Sequence, residues 1–292
     1  MERELWRILY RLTLELDRPW GDWRYSTADV LAAYFWAVLH DRPTKWAADP
    51  KQWPDDLRPV LLPPQSTLSR RLRRPRTVEL MTAVEERLLA LIVVGGWLVQ
   101  IIDGKALAVS GVSKDPDVGY GRGAGGNQKG YKFHAVWGGG PMPIAWGLAP
   151  MNVSEKTMAR HLIPTLPGGG YLLADSQYDA NPLYDVAAEA GFQLVAKKIK
   201  DRGRGGLGHR CQSTGRLRSI ELLATVFGGA LCEQRNAIER YFGAWVSSGG
   251  GLGPLPAWVR RFGRVRNWVQ AKILVAGARW LFLREPNKLA LA

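Results

Sequence analysis

The chain has 292 residues, 46% of them apolar, enough to bury the core of one large domain or of a small domain joined to a larger one. Its 40 Lys and Arg against 26 Asp and Glu give a net charge of +14. That favours a polyanionic partner, since Lys and Arg that neutralise phosphates release bound counterions, and no compact basic amphipathic anchor argues for a membrane surface. Two cysteines, Cys211 and Cys232, exclude a disulfide framework and a Cys-based metal site, and fit a reducing, cytoplasmic setting.

Residues 1 to about 94 read as an all-helical domain. The first segment is charged and helical rather than signal-like, with Leu5, Leu9, Leu12 and Leu16 at helical spacing. Ser26 is placed to cap a second helix through Val30, Leu31, Tyr34, Phe35 and Val38. A connector rich in proline (Pro54, Pro59, Pro63, Pro64) leads to a basic helix over 65–74, halted by Pro75. There Leu68 and Leu72 suit a core, and Arg70, Arg71, Arg73 and Arg74 suit an outward face. This segment fits the recognition element of a helix-turn-helix in contact with DNA, a reading favoured over a solvated basic face. A further helix carries Leu80, Met81, Val84, Leu88 and Leu91 as one stripe. The longest apolar run, Leu88 to Ile102, holds two Gly and a Gln and is short for a membrane span.

From about residue 95 the character changes to α/β. Trp97–Asp103 is nearly continuous in apolar residues, as in a strand buried on both faces, and 104–109 follows like another strand. Lys129–Trp137 alternates, and Pro143–Leu148 reads as its neighbour. Ser154 caps a helix to about Leu166, Tyr171–Asp175 is a second buried strand, Pro182–Ala190 a helix, and Phe192–Ala196 a strand. Helices follow around 216–227, 233–246 and 267–283, so that 95–292 forms a mixed sheet with helices on both faces.

Two acids, Asp103 and Asp175, stand at the ends of buried strands, where an ionised carboxylate is costly unless it is paired or bound to a cation. In open α/β sheets, ligands gather at the carboxyl ends of the strands, so the two aspartates face one crevice. A third acid on a packing helix completes an oxygen cage suited to Mg²⁺. Glu239 qualifies, with Arg235 one turn earlier on the same face. The plainer readings stay open: Asp175 as a turn residue with Asp179 as the functional acid, and Glu239 as the ion-pair partner of Arg235.

Several segments in order carry a resemblance: Ile102–Leu107, Ser113–Asp117, Lys129–His134, Leu173–Asn181 and Arg235–Phe242. Together they resemble the bacterial insertion-sequence transposases with a ribonuclease-H-like DDE domain, over about 99–283. The resemblance implies a ribonuclease-H-like sheet flanked by helices. It implies Asp103, Asp175 and Glu239 as catalytic carboxylates holding Mg²⁺ or Mn²⁺, as two ions. It also implies an activity that cuts transposon ends and joins the 3′ hydroxyl to target DNA. Double-stranded DNA and a second copy in a synaptic homodimer are the implied partners, and Lys129, Lys132, Arg235 and the 70–74 arginines are the candidate phosphate contacts in this chain. Two positions depart from many relatives: Cys232 stands where they carry Tyr, and Val246 where they carry Lys. A non-catalytic DNA-binding descendant and a nuclease that cuts without joining are the alternatives.

Other features are weaker. Gly121–Gly126 matches GxGxxG but neither follows a strong strand nor opens a helix, and reads as a flexible loop offering Arg122 to phosphate. The basic stretch Lys197–Arg204 is equally a phosphate-tracking or a structural loop. Four scattered histidines lack zinc spacing, although His134 lies near the site through its motif.

Overall fold

In chain order the described residues form α1 (Glu2–Leu16), α2 (Thr27–Leu39), α3 (Thr44–Ala47), α4 (Gln65–Arg71) and α5 (Pro75–Ile92). They continue with β1 (Val99–Ala108), β2 (Gly119–Gly123), β3 (Gly126–Trp137), β4 (Ala145–Pro150), α6 (Glu155–Leu162), β5 (Gly170–Ala174) and α7 (Asn181–Glu189). The last are β6 (Phe192–Ala196), α8 (Thr214–Leu223), α9 (Val226–Gln234), α10 (Ala237–Ser247) and α11 (Phe262–Arg284). The computed structural model describes residues 1–18, 24–92, 97–123, 125–199, 207, 211–247 and 251–284. Most of the basic stretch 197–204 therefore lies outside the described residues. The chain divides into two units, Met1–Val94 with Ala244–Ala292, and Gly95–Gly243.

The helical unit is built on local signals. Ser26 caps α2 with a complete capping box, its hydroxyl accepting from Asp29 N while the Asp29 carboxylate accepts from Ser26 N. Nearly every residue of α2 is buried, and α11 buries Val265, Trp268, Val269, Ile273, Leu274 and Leu281 around its girth. A helix apolar on all sides needs helices on all sides. That is why residues 244–292 group with the N-terminal helices, where α11 packs against α1, α2 and α5, and not with the sheet as expected. Three of its buried polar residues reach partners on the N-terminal helices and the segments between them. Lys272 Nζ donates to Asp41 Oδ1 (2.6 Å) and to the Val38 carbonyl (2.9 Å), Asn267 donates to the Leu72 carbonyl (2.7 Å), and Gln270 to Glu85 (2.8 Å).

The sheet unit holds six strands in the order β2-β3-β1-β5-β6, with β4 also paired to β3. β1, β5 and β6 run parallel, and β2, β3 and β4 pair antiparallel, giving the mixed sheet expected from the sequence. On one face a core forms around Ile102, Val136, Leu162, Leu172, Tyr178, Tyr184 and Leu194 under α6 and α7. Ser154 caps α6 as expected, accepting from Thr157 N.

Three local expectations are corrected. The two strands expected over 97–109 are the single strand β1, because β3 pairs with it without interruption from Ile101 to Ala108, so Asp103 sits within a strand and not at its end. The glycine-rich 119–126 stretch is no loop but the β2–β3 ribbon, turned at Gly126, whose φ of +103° suits glycine. A side chain at Gly121 would strike the Met151 carbonyl, so glycine lets that backbone cross close to the ribbon. The helix expected over 233–246 is two helices, α9 ending at Gln234 and α10 beginning at Ala237.

Candidate active site

The parallel register pairs Val99, Gln100 and Ile101 of β1 with Tyr171, Leu172 and Leu173 of β5. Continued two residues, it sets Asp103 level with Asp175, just past the end of β5. β1 runs on beyond that point against β3 alone, so both carboxylates stand where the parallel sheet stops. This is the position at which open α/β sheets collect ligands.

The electrostatics agree with the topology. Burial pushes the Asp103 carboxyl up to about 6, a hydrogen bond from Gly104 N (2.7 Å) opposes that, and the charges of Asp175 and Glu155 raise it further while Arg235 lowers it. Asp175 uses one oxygen to cap the turn that follows, accepting from Gln177 N at 2.8 Å. Beside it lies an open cleft of about 880 Å³ lined by Asp175, Lys197, Cys232, Glu233, Arg235 and Asn236, among others. Asp103, Asp175 and Arg235 are thus brought together.

Asp179, the alternative acid, is engaged elsewhere. Its carboxylate accepts from Arg216 Nε and Nη2 (2.7 Å each), Ile199 N (3.0 Å) and Tyr184 OH (3.2 Å), and its side chain is 2% exposed. Burial pushes this carboxyl up, but the bonds from Arg216 and Ile199 outweigh it and hold it below the usual carboxylate range. Its role is to bind α8 to the β5–α7 corner.

Glu239 lies in the first turn of α10 and is exposed. Because the chain breaks helix between Gln234 and Ala237, Arg235 and Glu239 do not share a helical face, and no ion pair joins them among the described residues. α10 covers the sheet face that bears Asp103. Tyr241 stacks on Trp137 (5.2 Å between centroids), Phe242 meets Trp137 and Phe133 edge-on, and Lys105 Nζ lies 5.6 Å from the Phe242 ring. Trp137 and Phe133 pair with Ile101 and Lys105, which flank Asp103 on that face. Among the described residues no three His, Cys, Asp or Glu side chains stand close enough to hold one ion.

The carboxylate that the sequence reading missed is Glu155. It sits in the first turn of α6, and its charge acts on both Asp103 and Tyr178. One oxygen pairs with Lys132 Nζ at 2.9 Å; the other is buried with no partner. His134, opposite Gly104, is buried with neither ring nitrogen partnered, and burial pushes it down to about 4. The Tyr178 hydroxyl is also buried and unpartnered, close enough to feel Glu155, Asp103 and Asp175. A polar cluster thus backs the two aspartates. The only sequence signal for Glu155 was its place after a capping serine, which any helix start shares.

The basic residues proposed for phosphate divide. Arg70, Arg73 and Arg74 are exposed. Arg71 is not, correcting its outward assignment: it is 7% exposed and donates to the Tyr25 carbonyl (3.1 Å) and Thr27 Oγ1 (3.3 Å), tying α4 to the start of α2. Lys129 donates to the Ser113 carbonyl at 2.6 Å, which fixes its position and leaves its charge uncompensated, whereas Lys132 is neutralised by Glu155. No described helix is long and apolar enough to cross a membrane.

A pair of carboxylates, one kept from easy ionisation by burial and by its neighbour's charge, is an all-oxygen donor set whose repulsion a divalent cation relieves. Oxygen donors of this kind are what Mg²⁺ and Mn²⁺ take, while the described residues bring no third such side chain into the same cluster. A family model described as a transposase DDE domain matches residues 97–251, somewhat more than half of the chain. No curated protein and no solved structure matches it.

Proposed function

The chain belongs to the family of transposases with a DDE domain, and on that premise we propose that it cuts the ends of a DNA element and joins the freed 3′ hydroxyl to target DNA. The observation that carries this reading is the level placement of Asp103 and Asp175 on parallel neighbours, with Arg235 beside them at an open cleft. The sheet is then the ribonuclease-H-like core of the catalytic part, and the N-terminal helices recognise DNA.

Asp103 and Asp175, joined by Glu239 from α10, would hold one or two Mg²⁺ or Mn²⁺, which lower the pKa of bound water and neutralise charge on a phosphate. Arg235 and Lys197 supply cationic contacts that seat a backbone phosphate in the cleft. Arg235 also tempers the raised carboxyl of Asp103 and keeps it available as an anion. The Asp179–Arg216 pair fixes the corner from which Asp175 projects. No side chain need form a covalent bond to DNA. A second copy is expected in the complex that holds two ends, and nucleoid-bound protein in the cytoplasm is the working location.

The test is a gel assay on duplex DNA carrying the element's ends, with and without Mg²⁺. Nicking that needs the metal and vanishes in Asp103→Asn and Asp175→Asn is expected. Nicking that survives in Asp103→Asn would overturn the assignment, and binding without nicking would mark a non-catalytic descendant. A strand-transfer assay separates the transposase from a nuclease.

A further inference from the structure

Within the helical unit a cavity of about 190 Å³ opens among α3, α4, α11 and the segment that precedes α11. Sites that enclose whole drug-sized ligands run to roughly 300–1,000 Å³, so this one suits a single planar ring system with the rest of the molecule outside. Its walls are aromatic and apolar: Tyr34 and Trp268 are buried, and Trp258 leaves 43% of its surface exposed.

The mouth is cationic. Arg42, Lys45, Arg73 and Arg264 line it, all four exposed, and no Asp or Glu is among the lining residues. None of the four forms an ion pair among the described residues. Lys272, deeper in the same unit, is by contrast matched with Asp41. Four uncompensated charges around a small opening repel one another until an anion arrives. The open face of the Trp258 indole offers a platform on which a flat ring can stack. A nucleotide joins the two features this site would recognise, a flat ring and a phosphate anion. A base within a duplex is already stacked and cannot enter a pocket, whereas an unpaired one presents its face.

We propose that this cavity takes one unpaired nucleotide of DNA, its base against Trp258 and its flanking phosphates on Arg42, Lys45, Arg73 and Arg264. The inference rests on the reading that the chain handles DNA, but it involves none of the carboxylates of the sheet unit.

The experiment uses the full chain carrying Asp103→Asn, without divalent metal, and a short single-stranded oligonucleotide containing one fluorescent base analogue. Binding is expected to quench the analogue. Trp258→Ala should weaken binding about tenfold, within the range of one lost base–aromatic stack, and Trp258→Phe should restore most of it. An oligonucleotide with an abasic position should bind wild type and Trp258→Ala alike. Arg264→Gln should lower the slope of log affinity against log salt by about 0.7, one phosphate on a single strand. If Trp258→Ala, shown folded by its thermal transition, leaves affinity unchanged, or weakens intact and abasic strands equally, the proposal fails. If a free nucleoside monophosphate binds as tightly as the oligonucleotide, the site belongs to small nucleotides and the DNA assignment fails. Loss of nicking alone strikes the catalytic reading and leaves this one standing.

Discussion

Replacing Asp179 by Asn tests how the corner beneath Asp175 is held. The carboxylate receives four hydrogen bonds, two of them from one guanidinium, and the side chains are 2% and 13% exposed. The amide keeps the shape but leaves the Arg216 charge without its counterion. Removing one partner of a buried pair costs about 3–5 kcal/mol, whereas an exposed pair is worth at most about 1 kcal/mol. At roughly 2–4 °C per kcal/mol for a unit of this size, Asp179→Asn should lower the melting temperature by roughly 6–20 °C. Asp179→Leu and Arg216→Met should each cost a similar amount, and the two combined should cost less than their sum, read by circular dichroism as a double-mutant cycle. The sign with pH follows from the lowered carboxyl. Its stabilisation is complete above the ordinary carboxylate value near pH 4, and is lost as the pH falls through the lower folded-state value. Asp179→Asn should therefore flatten the acid limb of the stability curve. Below its melting transition this variant should still nick DNA. A loss under about 1 kcal/mol, with nicking abolished, would refute the structural role and restore Asp179 as the functional acid.

Other outcomes follow from single contacts. Arg71→Gln should destabilise the chain by about 1–3 kcal/mol in thermal or urea unfolding, because the Tyr25 carbonyl and Thr27 lose a donor, while Arg70→Gln should leave stability within about 0.5 kcal/mol and lower the salt slope of duplex binding by about 0.9. Lys272→Met should stay within about 1.5 kcal/mol of wild type, since it keeps the buried stem, whereas Lys272→Ala should cost about 2–4 kcal/mol through the cavity it leaves, measured by urea unfolding. Mn²⁺ at a hundredfold excess over its Kd should stabilise the chain by about 2.7 kcal/mol, seen as a rise in melting temperature that Asp103→Asn abolishes.

What the sequence determined by itself was whatever is written in neighbours along the chain. Ser26 and Ser154 cap helices because a hydroxyl reaches the amide three residues on, and Phe192–Ala196 is a strand because five residues can declare their own burial. The mixed sheet was legible for the same reason, and so was the family, through linked motifs from Ile102 to Phe242. Tertiary structure decided what depends on residues far apart. Nothing local distinguishes Arg71 from Arg70, and only the Tyr25 carbonyl draws the first inward. Glycines 121 and 123 read as a loop until β3 pairs with them. Asp179 looked as free as Asp175 until Arg216, 37 residues on, closed over it. Glu155 joined the site from across the sheet, and α11 left the sheet unit because a helix buried on all sides is placed by its neighbours and not by its own pattern.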